Sequence, residues 1–176
     1  KSINFLKNST TRPLKDVVKE NIFNILNHSH LINIKLSNSN VLDAYSGVGS
    51  FGIECLSRGA KKVSFVESDV NASKILRDNL KLLSIVNKGM VFNYKIEKFL
   101  REKKDEKFNI FFFDPPFSDT SFISNLNFIK VNKMYQTKHI IVVHRERGTF
   151  DPFEQYINIL FSRQYGRSKI LFGIFN

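Results

Sequence analysis

From residue 40 onward the apolar positions fall into short runs, separated by stretches in which they recur at every third or fourth residue. The runs at residues 41–45, 62–67, 90–94, 108–113 and 139–144 predict five strands, and the stretches at residues 50–58, 70–83, 96–103 and 121–129 predict four helices. Such alternation is the pattern of a parallel sheet with helices on both faces, because each crossover helix must bury its apolar stripe against the sheet. The tail breaks the pattern. Residues 156–162 and 168–175 are two β-rich runs joined around Tyr165-Gly166, which predicts a terminal antiparallel hairpin. Ahead of residue 40, Val18, Ile22, Ile25 and Leu26 recur at helical spacing after Pro13, predicting a first helix over residues 15–27, with the polar stretch 33–40 as a connector. The expected fold class is α/β, a doubly wound, mostly parallel sheet finished by an antiparallel hairpin. It is expected to form one domain over residues 1–176, with residues 1–39 as an N-terminal segment and residues 40–176 as the core.

Composition narrows this picture. A chain of 176 residues, 42% hydrophobic and 24% charged, suits one sizeable core and argues against disorder. The single cysteine cannot form an internal disulfide, and no apolar run approaches the roughly 18 to 20 residues of a membrane span. The opening residues KSINFLKN lack a Met and lack the apolar stretch of a secretory signal. The expectation is a cytoplasmic, monomeric protein with no membrane or metal partner. The net charge of +11 suggests a polyanionic partner such as nucleic acid. An AT-rich genome would produce much of the same excess of Lys, Asn, Ile and Phe, so the placement of the charge says more than its total. Residues 1–40 carry +4, residues 41–128 only +2, and residues 129–176 +5.

In doubly wound sheets, ligands bind outside the carboxyl ends of the strands, so the chemistry is expected just after Tyr45, Glu67, Tyr94 and Phe113. After the first strand comes Gly47-Val48-Gly49-Ser50-Phe51-Gly52, a G-x-G-x-x-G loop that lets backbone approach a ligand closely. Dinucleotides and S-adenosylmethionine both use such loops, and two acids separate them. Asp43 lies inside the first strand, where it would repel a pyrophosphate but favour the ammonium and sulfonium of S-adenosylmethionine. Glu67 ends the second strand, where an acid accepts hydrogen bonds from ribose hydroxyls. The competing roles are a carboxylate that caps the glycine turn for Asp43, and a solvated strand-end acid for Glu67.

The fourth predicted strand runs directly into Asp114-Pro115-Pro116-Phe117. Two successive prolines remove two backbone donors and leave carbonyl oxygens free as acceptors. An exocyclic amine has two N–H donors, which an Asp side chain and a proline carbonyl together would accept. The nitrogen lone pair then turns out of the aromatic ring towards an incoming methyl group, and positioning is the main contribution to rate. Phe117 would stack on the base. The competing reading is a strand ending in a Pro-Pro turn with Phe117 in the core.

With these residues in view, the chain resembles the bacterial RsmD-type methyltransferases, which modify the guanine N2 amine of small-subunit ribosomal RNA. Thr11-Arg12-Pro13 with Val18, Glu20, Phe23-Asn24 and Leu26 is similar to the family's Arg-Pro-Thr segment and first helix. Residues 42–52 with Leu56-Ser57-Arg58 match its cofactor loop, Asp114 to Phe117 its Asp-Pro-Pro-Phe/Tyr, and Tyr165-Gly166 its Tyr-Gly before the last strand. The resemblance implies a class I, Rossmann-like methyltransferase using S-adenosyl-L-methionine. It implies that Asp43, Gly47, Gly49 and Glu67 bind the cofactor, that Asp114, Pro115, Pro116 and Phe117 hold the target base, and that Arg12 borders the site. The implied partner is 16S ribosomal RNA or the small ribosomal subunit. Three features depart from the family pattern. The chain begins just after the place of the usual glycine-rich basic hairpin, Leu14 replaces the Thr of Arg-Pro-Thr, and Lys95-Ile96 stands where an Asp or Asn usually touches the adenine amine. Ile96 is then expected to pack on the adenine ring, with Asn93 or a backbone group replacing the acid. The rivals are an adenine-N6 nucleic-acid methyltransferase, a protein glutamine methyltransferase and a non-catalytic RNA-binding module. A DNA enzyme normally carries a recognition insertion, and a glutamine enzyme has Asn before Pro-Pro.

Of the other reactive side chains, Cys55 reads as a small buried hydrophobe. No pair among His28, His30, His139 and His144 has metal-ligand spacing with a carboxylate or thiol. His144 ends the fifth predicted strand on the substrate side, where the family often has Glu. Lys103-Lys104, set among acids, reads as a solvated helix end. Arg145, Arg147, Arg163 and Arg167 are half of all the arginines, and they are candidate RNA contacts because the guanidinium is a bidentate phosphate ligand.

Overall fold

The computed structural model describes residues 3–4 and 16–176. Strands β1 (Asn40–Asp43), β2 (Lys62–Val66), β3 (Gly89–Phe92), β4 (Phe108–Phe113), β5 (Tyr135–Glu146), β6 (Asn158–Tyr165) and β7 (Ser168–Ile174) form one seven-stranded sheet in the order β3-β2-β1-β4-β5-β7-β6. The first five run parallel, and β7 lies antiparallel between β5 and β6. Helices α1 (Asp16–His28), α2 (Ser50–Ser57), α3 (Val70–Leu82), α4 (Ile96–Glu102) and α5 (Phe122–Val131) cover the two faces. The Rossmann-like doubly wound sheet with its C-terminal hairpin is present as the hydrophobic pattern predicts.

The central strands read as continuous apolar runs because both of their faces are covered. Ile110 and Phe112 of β4 join one core cluster with α1, α2 and α3, while Phe111 and Phe113 join the other with α4 and α5. On the first face Phe23 of α1, Phe51 of α2 and Phe112 form a continuous stack, with centroid separations of 5.1 and 4.0 Å. Lys19 of α1 adds a 3.0 Å bond to Ser50 Oγ, so the first helix docks directly on the helix that opens the glycine loop.

Several boundaries differ from the sequence reading, β1 among them, which ends at Asp43 rather than residue 45. β5 starts at Tyr135 rather than residue 139, because Tyr135 pairs with Phe108 across a register shift, and it runs on to Glu146, which pairs with Ser168. β3 ends at Phe92, two residues early. The hairpin's first strand starts at Asn158, because a short 3-10 turn, Phe153–Gln155, precedes it. Among the described residues no helix is long and apolar enough to cross a membrane.

Candidate active site

The strand order reverses between β1 and β4, since β2 lies on one side of β1 and β4 on the other. In doubly wound sheets the ligand crevice lies at such a point, at the carboxyl ends of the parallel strands. The glycine loop fills its β1 side. Gly47 has φ +52° and Gly49 φ +90°, and a Cβ on Gly47 would meet nothing within 4 Å, so its backbone faces open space. Gly52 serves packing, because a Cβ there would stand 2.3 Å from the Phe65 ring of β2. Buried Asn79 of α3 holds the loop from behind, donating to the Val48 carbonyl at 3.1 Å and pairing with the backbone of Asn4.

Asp43 is fully buried. Its Oδ2 accepts the Gly52 N–H at 3.0 Å, and its Oδ1 has no partner among the described residues. Burial pushes its carboxyl up to about 8, against the pull of the Gly52 N–H, and the charges of Asp114 and Glu67 raise it further. The turn-capping role and an open acceptor therefore occur in the same side chain. Glu67 accepts from Gly47 N and Asp69 N, both at 2.7 Å, which fixes its carboxylate beside the loop. After β3, Asn93 is committed to the carbonyls of Glu67 and Ser68, so it braces the turn that carries Glu67. Ile96 is buried in the core with Phe99, so little of its side chain is left to pack on a ligand ring.

The β4 side of the crevice holds Asp114. Its Oδ1 lies 2.8 Å from His144 Nδ1 at the end of β5, and His144 Nε2 lies 2.9 Å from Ser168 Oγ at the start of β7. An ionised carboxylate only accepts, so Nδ1 carries the hydrogen and points it at Asp114. Asp114 Oδ2 makes no hydrogen bond to the described residues. Phe117 packs edge-on against His144 with centroids 5.6 Å apart and stays 39% exposed. Phe117 is thus not a core residue.

Arg145 corrects the sequence reading, which placed it among the RNA contacts. It is 1% exposed and forms a buried pair with Asp151, Nε to Oδ2 at 2.9 Å. Its guanidinium also donates to the carbonyls of Pro116 at 3.1 Å and Phe117 at 3.0 Å, and lies over the Phe122 ring. The Pro116 carbonyl accepts from Asp119 N as well, so of the two proline carbonyls only that of Pro115 stays free among the described residues. Nothing in Arg145-Glu146-Arg147 marks which arginine turns inward. The one sequence signal is Asp151 before Pro152, six residues on.

The remaining predicted contacts separate. Arg163 is exposed, with its guanidinium over the Phe161 ring. Arg167 is exposed and ion-paired with Glu146, so part of its charge is compensated. Arg12 lies outside the described residues. Cys55 is buried in the core, and burial raises its thiol pKa well above the ordinary range. His139 is structural, bonded to Gln136 O and Phe175 N.

Comparison with known proteins decides the family. A family model described as conserved hypothetical protein 95 matches residues 1–174. Ribosomal RNA small subunit methyltransferase D of Haemophilus influenzae is 32% identical over 145 residues, 81% of this chain and 72% of that protein. The Bacillus subtilis protein YlbH is 31% identical over 149 residues, 84% of this chain and 78% of its own. The chain belongs to the RsmD-type ribosomal RNA methyltransferase family. Among solved structures, Escherichia coli yhhF superposes with a TM-score of 0.77 at 26% identity, covering 94% of this chain and 88% of that one. A Thermus hypothetical protein superposes at 0.79 and 20% identity, covering 98% and 93%, and shares the fold. In this RsmD-type methyltransferase the glycine loop and the Asp-Pro-Pro-Phe turn face each other across the strand-order reversal.

Proposed function

We propose that this protein uses S-adenosyl-L-methionine to methylate the exocyclic N2 amine of a guanine in 16S ribosomal RNA. The observation that carries the reading is Asp114 held by His144, at the edge of the crevice whose other side is the glycine loop and Asp43. The residues fit the cofactor. Asp43 Oδ1 is a buried acceptor without a partner among the described residues, suited to a cationic group. The Gly47 backbone faces open space, and the Glu67 carboxylate has lone pairs left for ribose hydroxyls beyond its two N–H bonds.

Bound there, the cofactor supplies an electrophilic methyl group. The chain's own part is orientation. Asp114 Oδ2 and the Pro115 carbonyl accept the two amine hydrogens, so the nitrogen lone pair stands out of the base plane, and Phe117 stacks on the ring. His144 fixes which Asp114 oxygen faces the amine, and Arg145 fixes the turn that carries Phe117. The amine proton leaves from the nitrogen that Asp114 already holds, so no strong base is needed.

Labelled methyl transfer to isolated small ribosomal subunits, followed by mass mapping of the product nucleotide, tests the reading. N2-methylguanine is the expected product. Asp114→Ala should abolish transfer while retaining cofactor affinity. Labelled adenine, labelled protein, or binding of cofactor and RNA without transfer would overturn it.

A further inference from the structure

The buried guanidinium of Arg145 holds two loops at once. On one side it takes the carbonyls of Pro116 and Phe117, and on the other the carboxylate of Asp151. The second loop, residues 147–152, is braced at Arg147, Thr149 and Asp151. Thr149 bonds Glu146 O through both its N–H and its hydroxyl, Arg147 N donates to Arg167 O at 2.7 Å, and Lys169 Nζ donates to Thr149 O at 3.0 Å. From this loop Phe150 projects into solvent at 96% exposure, the most exposed of the large hydrophobic residues among those described. An apolar ring held out that far has no folding role. It stands on the same carboxyl edge of the sheet as Phe117, in a loop that also exposes the cation of Arg147, with Lys169 of the adjoining β7 bonded to the Thr149 carbonyl.

We propose that Phe150 is a second nucleobase-stacking residue, which covers the RNA base next to the target guanine. The inference rests on the RNA substrate proposed above. A guanine that reaches Asp114 must leave its stack, which uncovers the face of its neighbour, and an exposed aromatic ring beside a positive surface is the group that covers such a face. Arg145 ties the loop that carries Phe150 to the turn that carries Phe117, so the two rings belong to joined loops, Phe117 for the extruded base and Phe150 for the base left behind. Such stacking accepts any base, so it strengthens RNA binding without setting sequence preference.

The chain contains no tryptophan, so Phe150→Trp introduces a single fluorescent reporter at this site. Transfer is measured on isolated small ribosomal subunits with the unsubstituted protein, Phe150→Ala and Phe150→Trp. Phe150→Ala should raise KM about tenfold, with a smaller effect on kcat and none on S-adenosylmethionine affinity, as loss of one stacked base would give. Phe150→Trp should recover the KM, and its emission should be quenched by subunits but not by cofactor alone. A KM for Phe150→Ala within twofold of the unsubstituted protein overturns the inference. So does a blue shift of Trp emission without quenching, which would mark burial against protein. Absence of transfer by the unsubstituted protein overturns the functional reading itself, and this inference with it.

Discussion

Asp43 shows how one side chain couples stability to the chemistry beside it. Its carboxyl titrates near 3.8 in the ordinary case and at about 8 here, chiefly because burial disfavours the charge. An acid with a higher pKa in the folded than in the unfolded chain binds its proton more tightly when folded, so stability falls as pH rises between those two values. The penalty is absent below about 4 and complete above about 8. Thermal melts without cofactor should therefore show the unsubstituted protein losing stability across that window. Asp43→Asn keeps an acceptor for the Gly52 N–H and removes the charge, so its melting temperature should be flatter there and higher at pH 8. Equal pH slopes for the two proteins would count against a buried, neutral Asp43. The same variant should bind S-adenosylmethionine less tightly, since it offers a cation no negative partner.

At the scale of elements, the loop that joins β1 to α2 divides its glycines between two tasks. A Cβ at Gly52 would meet Phe65 at 2.3 Å and Val63 at 2.8 Å, so Gly52→Ala should destabilise the fold by about 1–3 kcal/mol through overpacking, read from denaturant melts. A Cβ at Gly47 meets nothing, so Gly47→Ala should act chiefly on cofactor affinity, beyond the strain of its positive φ. The alternation of strands and helices is legible in the sequence because β4 and its neighbours are apolar on both faces, and the glycine loop is legible because it follows such a run. The first four residues of β5 are not, since Gln136 and Lys138 are polar and lie in the irregular stretch between the Tyr135–Phe108 and Ile140–Ile110 pairs. Nor is the His144–Asp114 contact, which joins residues 30 apart through the sheet order. Arg145 is the instructive case. Its charge made it a surface residue by type, and only the three-dimensional meeting of Asp151 with two loop carbonyls gives a buried guanidinium enough partners.

For the molecule as a whole, the basic excess of residues 129–176 belongs to the hairpin side of the sheet, and its arginines are not equivalent. Arg145 and Asp151 neutralise each other inside. Arg163 is level with His144, since both pair with Ile170 of β7, and it is exposed with no ion pair among the described residues. Arg167 shares its charge with Glu146. RNA affinity measured over a salt series should therefore lose more on Arg163→Gln than on Arg167→Gln. The slope of log affinity against log salt should shallow by about 0.7–0.9 for each phosphate contact removed. Unchanged slopes would assign the excess to composition rather than to RNA binding.

The direction of β7 fixes one more property. Because this strand runs antiparallel to β5, its first residue, Ser168, meets His144, and its far end delivers Phe175 to Tyr135 and His139 at the opposite rim of the sheet. Seven residue steps of extended chain, from Ser168 to Phe175, separate the two rims by roughly 23 Å. A dye, affinity handle or surface tether attached after Phe175 is thus held at the rim of the sheet opposite Asp114 and His144.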